Sequence, residues 1–234
     1  MKKLTILVLL LVTQLVAKEI YATFDVVASK DASLAFTAGG IVEQVRVDVG
    51  THVKKGELLA SLQNKDIKAS LEMARIALKY AKRAYERELK VKHLIDEGKF
   101  DMVAKAYEDA KAAYAYKKAL YDKTFLRAPF DGVIYEKHIE VGDAVSGMML
   151  KTVFKIQSAH KRKLVLQFDQ KYIGDVRKGD LFRYRLDAQK EIRRVRISKV
   201  YPYANYANRK VKAEALVNDI TPGLFGDGLI VTEE

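Results

Sequence analysis

The side chains best suited to metal binding and acid–base chemistry are the histidines, and they are scattered along the chain. They are His52, His93, His138 and His160. Zinc sites usually draw paired ligands that lie a few residues apart, and no two of these histidines have such a spacing. Cysteine is absent from the sequence, which excludes thiolate metal sites, disulfides and a cysteine nucleophile. We therefore expect no metal site.

The motifs of common enzyme active sites are also missing. The sequence contains no Gly-rich phosphate loop ending in Gly-Lys-Ser/Thr, no Gly-x-Ser-x-Gly and no His-Glu-x-x-His. Each of these motifs supplies a specific piece of chemistry: a phosphate cradle, an activated serine or a zinc ligand pair. We expect no catalytic residue and no cofactor, so the protein is predicted to act by binding rather than by catalysis.

Basic residues outnumber acidic ones, with 42 Lys and Arg against 30 Asp and Glu, for a net charge of +12. Such an excess suits an acidic partner, whether nucleic acid, anionic lipid or an acidic protein face. Apolar residues make up 49% and charged residues 31% of the 234 residues. This balance is typical of a globular protein with one or two domains.

The first 17 residues have the pattern of a secretory signal peptide. Two lysines precede an apolar run at positions 4–17, and charged residues follow it. The run is shorter than the roughly 20 residues that a membrane-spanning helix needs. Cleavage after Ala17 and retention as an uncleaved anchor both agree with this pattern. In either case the chain is exported, so we expect no nucleic-acid partner and assign the basic excess to lipid or protein.

A strand pattern occurs twice in the chain. The stretch 40–53 reappears at 132–145, with each matched position 92 residues downstream. Both copies alternate apolar and polar residues, as half-buried strands do. Gly50 and Gly142 stand where each copy must turn.

The second copy is longer than the first. Leu58 and Leu150 keep the 92-residue offset, whereas Leu62 and Ile156 are 94 residues apart. The repeat therefore predicts two similar β-units, the second with two extra residues.

Between the two copies the pattern changes to that of helices. Residues 65–124 include no proline and one glycine, and they are rich in Ala, Lys, Glu and Leu. The first apolar stripe, with spacings of four and three, is Ile67, Leu71, Ala74, Leu78, Ala81 and Tyr85. The second is Val103, Tyr107, Ala110, Tyr114 and Tyr121, and Lys117 interrupts it. These stripes predict two antiparallel helices that form a coiled coil and are joined at Gly98. Packing against the flanking β-units as an ordinary helical layer is the alternative.

The remainder of the chain has the pattern of short strands again. Leu164, Leu166 and Phe168 alternate with more polar neighbours, and Gly179 stands at one of the intervening turns. Several such strands with tight turns predict a small β-barrel. The predicted fold class is therefore α+β: a β-sandwich split by an α-helical hairpin and followed by a barrel.

Three stretches stand out as motifs: FTAGGIV at 36–42, VGTHVKKGELLA at 49–60 and LRAPFDGVI at 126–134. They resemble periplasmic adaptor subunits, also called membrane fusion proteins of the HlyD-like family, of RND-type efflux systems. The third is the most specific, and the resemblance extends over nearly all of residues 20–232. It implies that the β-sandwich is lipoyl-like.

The resemblance and the patterns together predict the following domains. They are a signal peptide at 1–17, N-terminal strands joining the barrel at 18–35, lipoyl-like halves at 36–64 and 126–158, a helical hairpin at 65–125 and a β-barrel at 159–234. Because the chain ends soon after the barrel strands, we expect the membrane-proximal domain of larger family members to be absent or vestigial.

The resemblance implies a non-catalytic adaptor in the periplasm, associated with the inner membrane. It would link an inner-membrane RND transporter to an outer-membrane channel for the export of toxic compounds. It would form a homo-oligomeric ring, either by itself or, as the alternative, from monomers that assemble only on their partners. An adaptor of an ABC-type exporter or of a type I secretion system is the alternative. Lipoyl and biotin carriers share the half-motifs, but they modify a lysine at a turn that the helical segment replaces here.

The resemblance also points to the hairpin tip as the site that docks on the channel. Family tips carry Arg, Leu and Ser at fixed spacing, and Lys90, Leu94 and Asp101 occupy these places here. Lysine keeps the charge of arginine but lacks its bidentate fork. Asp101 has a second interpretation, as the N-cap of a helix that follows the Gly98 turn.

The basic excess is concentrated in the barrel segment. Residues 171–199 contain ten Lys or Arg against four Asp or Glu. Arg194 and Arg196 are either the polar half of an alternating strand or, together with Arg193, a surface that faces an anionic membrane. The second interpretation predicts salt-sensitive binding to anionic lipid.

Overall fold

The computed structural model of the protein describes most of the chain. The described residues are 18–94, 96–187, 189 and 191–232. The predicted signal peptide at 1–17 lies outside them. In these ranges no helix combines the length and the apolar character that crossing a membrane requires.

Strands dominate the described part of the chain, which also contains two long helices. In chain order the strands are β1 (Lys18–Ala28), β2 (Asp31–Leu34), β3 (Gly40–Val45), β4 (His52–Val53), β5 (Leu58–Leu62), β6 (Phe125–Arg127), β7 (Gly132–Lys137), β8 (Ala144–Val145), β9 (Phe154–Ser158), β10 (Lys161–Asp169), β11 (Leu181–Leu186), β12 (Arg193–Asn205), β13 (Lys210–Asn218) and β14 (Phe225–Thr232). The helices, of 26 residues each, are α1 (Lys65–Lys90) and α2 (Glu97–Asp122).

These elements form two compact units. Residues 31–159 make one unit, which contains the sandwich and the helices, and residues 18–30 with 160–232 make the other. The sandwich has two four-stranded sheets, in the orders β2-β9-β7-β4 and β6-β5-β3-β8. The first copy of the repeat supplies the paired strands β3 and β5 to one sheet, and the second copy supplies the paired strands β7 and β9 to the other. Each also gives a short strand to the other sheet, because β4 pairs with β7 and β8 pairs with β3.

The crossed pairs obey the repeat observed in the sequence. Gly40 lies opposite Val145 in the β3–β8 pair. The positions 92 residues after Gly40 and before Val145 are Gly132 and Val53, and they lie opposite each other in the β4–β7 pair. The two halves are therefore related by an approximate two-fold exchange, in which each half completes the sheet of the other.

Gly50 and Gly142 occupy equivalent turns of the two halves. Their φ angles are +87° and +96°, in the left-handed region that favours glycine. The Gly50 amide donates to the carbonyl of Ile134 at 2.7 Å, and the Gly142 amide donates to the carbonyl of Val42 at 3.0 Å. Each turn thus ties its own half to the partner half.

The expected equivalence of Leu58 and Leu150 is wrong. Leu150 is 66% exposed and precedes β9. Leu59 and Val153, 94 residues apart, instead accept equivalent backbone hydrogen bonds. The two extra residues therefore lie in the loop before β9, where added length does not disturb the buried register of the strands.

The second unit is a closed antiparallel barrel with the strand order β1-β10-β13-β12-β11-β14. Alternate residues point into it, as the sequence pattern predicted. Leu164, Leu166 and Phe168 are fully buried. Together with the split sandwich and the helices, this barrel confirms the predicted α+β fold class.

Aromatic rings fill the barrel next to a glycine of β14. Phe24 packs edge-on against Phe182 and Tyr184, with ring centroids 5.7 and 5.3 Å apart. A Cβ at Gly226 would lie 2.8 Å from the Phe24 ring and 2.1 Å from the carbonyl oxygen of Arg185. Only glycine fits at this inward position without moving β11.

The predicted assignment of residues 18–35 to the barrel needs one correction. β1, which ends at Ala28, lies in the barrel between β10 and β14. β2 follows after two residues, but it pairs with β9 in the sandwich. Because both strands alternate in polarity, local pattern could not show that the chain changes sheets between them.

Candidate partner-binding surfaces

The two helices pack as an antiparallel hairpin along the predicted stripes. All six stripe positions of α1 and all five of α2 are half-buried. Lys117, the interruption of the second stripe, is also half-buried and continues the spacing between Tyr114 and Tyr121. At the base, Asn64 Nδ2 donates to Thr124 Oγ1 at 3.0 Å. The helices are about 39 Å long at 1.5 Å per residue, so the tip lies far from this base.

Aromatic side chains hold the helices together near the tip. Tyr85 on α1 contacts Phe100 and stacks on Tyr107, with ring centroids 5.7 and 5.2 Å apart. Phe100 is buried, and the Nζ of Lys92 lies 4.6 Å from its ring centroid. These contacts fix the ends of both helices, so that the loop between them has a defined base.

The connection between the helices is not at Gly98, as the sequence predicted. α1 ends at Lys90, a 3₁₀ turn covers Lys92–Leu94, and α2 begins before Gly98. Asp96 is the N-cap of α2, since its Oδ1 accepts a hydrogen bond from the Lys99 amide at 3.1 Å. A capping carboxylate satisfies an otherwise unpaired amide, and a glycine inside the first turn is tolerated at modest cost.

The structure places the three predicted tip residues at the same end of the hairpin. Lys90 closes α1, Leu94 lies in the 3₁₀ turn and is 74% exposed, and Asp101 is exposed on α2. The capping interpretation of Asp101 is wrong, because Asp96 takes that role. Neither Lys90 nor Asp101 has an ion pair within the described part of the chain, so both charges remain available to a partner.

Sequence reasoning missed two apolar members of this tip. Met102 is 73% exposed beside Asp101, and Leu89 is 46% exposed before Lys90. Both are apolar residues outside the coiled-coil stripes, which is the signal that could have identified them. Together with Leu94 they give the tip exposed apolar area within a charged surround, a combination typical of a protein-binding surface.

The barrel arginines do not form one surface. Arg194 and Arg196 are exposed on the outer side of β12, whereas Arg193 is only half exposed. The Arg193 guanidinium donates to Glu191 at 3.2 Å. Burial raises the pKa of Tyr184, and the nearby charge and hydrogen bond of Arg193 partly oppose this. Because successive residues of a strand point to opposite faces, Arg193 points to the face opposite that of Arg194 and Arg196.

Metal-binding geometry was not found in the described residues. No group of three or more His, Asp or Glu side chains there is arranged to hold an ion. His138 contacts Glu136 at 2.9 Å, and His160 contacts Asp219 at 2.9 Å. His138 and His160 thus each contact a single carboxylate, which is an ordinary surface contact.

Comparison with known families gives a match over the sandwich and the hairpin. The profile described as "CzcB-like, barrel-sandwich hybrid domain" matches residues 30–157, which is more than half of the chain. The cobalt-zinc-cadmium resistance protein CzcB of Cupriavidus metallidurans is 30% identical over 134 residues. That alignment covers 50% of this chain and 26% of CzcB. The chain spans between 26% and 49% of the length of the curated relatives considered.

Solved structures share the fold at low sequence identity. A MacA–MexA chimeric protein that contains the α-hairpin domain of Pseudomonas aeruginosa MexA has a TM-score of 0.82 and 18% identity. The similarity covers 94% of this chain and 83% of the chimera. ZneB from Cupriavidus metallidurans has a TM-score of 0.61 and 15% identity, over 93% of this chain and 72% of ZneB. At such identities the likeness establishes the fold alone.

Proposed function

The chain belongs to the family of CzcB-like barrel-sandwich hybrid domains, and on this premise we propose that it is a non-catalytic adaptor of an efflux system. In this role it lies in the periplasm, associated with the inner membrane. It links an inner-membrane transporter to an outer-membrane channel, and its copies assemble into a ring. The energy for transport comes from the transporter.

The hairpin is the observation that carries this proposal. Two helices of 26 residues leave the middle of the split sandwich and end in a tip with exposed apolar side chains. The two helices contribute little to the buried core of the protein, because they bury little beyond their shared seam. The stability of the β-units therefore does not explain why the helices are so long. A projection of about 39 Å does suit a protein that must bridge two partners.

An RND-type transporter is the proposed inner-membrane partner. Support comes from the resemblance of the sequence motifs to RND adaptors, from the CzcB relative and from the MexA hairpin in the structural neighbour. The name of CzcB associates that relative with cobalt, zinc and cadmium. These cations therefore belong in the panel of toxic compounds used to test this protein.

Complementation of a deletion strain tests the proposal. Loss of the gene should raise sensitivity to at least one member of a panel of toxic organic compounds and divalent cations. The full chain and the variant Met73→Asp should restore resistance, whereas Leu94→Asp should not, because a charge at the tip disrupts docking. Met73 is the matched control, since it is 73% exposed against 74% for Leu94 but lies on the side of α1.

Two results would contradict parts of this proposal. Unchanged sensitivity across the whole panel would exclude the efflux role, and full rescue by Leu94→Asp would exclude docking at the tip. Efflux that stops when the proton gradient is collapsed at constant ATP supports an RND transporter. Efflux that persists under this condition would indicate an ABC-type exporter instead.

A further inference from the structure

The outer face of the barrel carries a cavity of about 440 Å³ that three arginines line. Arg183 and Arg185 belong to β11, and Arg194 belongs to β12. Leu229 of β14 and Ile192, which precedes β12, supply its apolar wall. All of these residues belong to one compact unit, and the role proposed for the hairpin tip does not involve them.

Positive charge is concentrated in this cavity beyond what the protein itself neutralises. Arg183 and Arg194 lie directly opposite each other in the β11–β12 pair, an arrangement of like charges that destabilises a sheet. Arg183 forms an ion pair with Glu19, and Arg185 lies 3.7 Å from Asp227. In the described part of the chain the side chain of Arg194 has neither a hydrogen bond nor an ion pair. One guanidinium thus remains for an external anion.

Exposed apolar side chains flank the arginines on the same face. Leu229 lies between Arg183 on β11 and Tyr21 on β1, directly opposite both. Tyr21 is 56% exposed and Ile192 is 69% exposed. From β12 to β1 the face crosses three strand spacings, or about 14 Å. This face combines arginines with exposed aromatic and aliphatic side chains. A partner with an extended amphipathic surface matches such a face better than a single acidic peptide segment does.

We propose that this cavity binds the phosphate of an anionic phospholipid, so that this face of the barrel lies against a membrane surface. Guanidinium groups bind phosphate oxygens through paired N–H donors. Ile192 and Tyr21 contact the less polar region next to the phosphate. The choice of a membrane rests on the proposed function, which places the protein at the inner membrane.

Vesicle flotation with the full chain tests this inference. The vesicles contain phosphatidylcholine alone or with phosphatidylglycerol, and the readout is the difference in affinity between the two. This difference removes the contribution of the apolar part of the N-terminal segment. Its two lysines also favour anionic lipid, but they are present in every variant and cancel when the variants are compared with the wild type. We expect a preference for anionic vesicles at low salt that falls sharply at about 1 M salt, where the screening length is about 3 Å.

The double variant Arg183→Gln/Arg194→Gln should lose most of this preference. Each basic residue near an anionic surface contributes about fivefold, so we expect a loss of about 25-fold. The matched control is Lys199→Gln/Lys212→Gln, which removes the same charge from β12 and β13 away from the cavity and should bind like the wild type. Arg194→Gln alone should lose about fivefold, and it breaks no side-chain hydrogen bond or ion pair of the described structure.

Three outcomes would overturn the inference. They are equal binding to neutral and anionic vesicles at low salt, equal losses in the two double variants, and an unchanged preference in Arg194→Gln. The second would show that only net charge matters. Since flotation uses purified protein, its failure is distinct from failure of the efflux role, which the complementation experiment measures independently.

Discussion

Glu214 on β13 is the centre of a polar cluster on the outside of the barrel. It accepts hydrogen bonds from Lys163 Nζ at 2.9 Å and from the Tyr201 hydroxyl at 2.7 Å. Partial burial raises the pKa of the Glu214 carboxyl, but these hydrogen bonds and the charges of Lys163 and Lys199 outweigh it and hold the pKa below its ordinary value of 4.5. The charged carboxylate therefore stabilises the folded barrel.

We expect Glu214→Gln to lower the free energy of unfolding at pH 7 by about 1.5–3 kcal/mol, the range for hydrogen bonds to a charged group. Because the pKa is lower in the folded state, the stabilisation is present above the unfolded pKa and is lost as pH falls through the folded pKa. The difference between variant and wild type should therefore shrink below about pH 4.5. Urea unfolding at several pH values measures it.

Glu43→Gln is the control for this measurement. Glu43 is exposed on β3 and has no ion pair in the described structure, so its removal should leave stability within about 0.5 kcal/mol at every pH. A pH-independent loss in Glu214→Gln would mean that the side chain acts by packing rather than by its charge.

The hairpin is a coiled coil that has a lysine in the seam of its second helix. Lys117 is half-buried between Tyr114 and Tyr121, and no ion pair is recorded for it among the described residues. Its Nζ is 6.0 Å from the ring centroid of Tyr116. A lysine at a seam position costs stability, because its stem packs while its ammonium group must stay in water.

We expect Lys117→Leu to stabilise the hairpin by about 1 kcal/mol, since half-burial of a leucine recovers part of its transfer free energy. Hydrogen exchange of α1 and α2 amides should slow by about fivefold, because these amides exchange through local opening of the hairpin. Lys68→Leu is the control, because Lys68 is exposed on α1. Equal slowing in both variants would show that the seam position has no special role.

The N-cap Asp96 determines where the connection between the two helices ends. Gly98 is the only strong helix breaker of the segment, yet α2 starts before it because the Asp96 carboxylate caps the helix. The exposed residues Leu94 and Asp101 consequently lie on either side of a capped helix start. The cap therefore defines the backbone at the start of α2, and a docking surface on this helix requires such a fixed start.

At the scale of the whole molecule, apolar surface remains exposed where no described contact covers it. Met148 and Met149 are 96% and 79% exposed in the loop that carries the two extra residues of the second half, and Leu150 is 66% exposed. An exposed group of this kind usually marks an interface. The proposed ring assembly accounts for it as a contact between copies of the chain.

We expect the average mass from light scattering to rise with protein concentration. Met148→Ser/Met149→Ser should shift this rise to higher concentration, because it removes apolar contact area from the loop. Met102→Ser is the control, since Met102 is 73% exposed at the hairpin tip, which is proposed to bind a different partner. A constant monomer mass at all concentrations would contradict self-association in the absence of partners.

Features that depend on local periodicity could be predicted from the amino-acid sequence. Period-two alternation identified Leu164, Leu166 and Phe168 as barrel core, and the 3–4 spacing identified the hairpin seam, because burial on one face imposes these periods on any strand or helix. The 92-residue offset predicted two equivalent β-units. The resemblance of the motifs added the order of the domains and directed attention to the hairpin tip.

Tertiary structure alone decided which strands meet. β1 and β2 look alike in sequence but enter different units, and the crossing of β4 and β8 follows from pairings between distant residues. Arg183 and Arg194 become neighbours only through the β11–β12 register. Such pairings are set by the summed burial of many side chains rather than by any local pattern. The separation of Arg193 from Arg194 and Arg196 follows from the local alternation of a strand, whereas the approach of Arg194 to Arg183 depends on the non-local register of two strands.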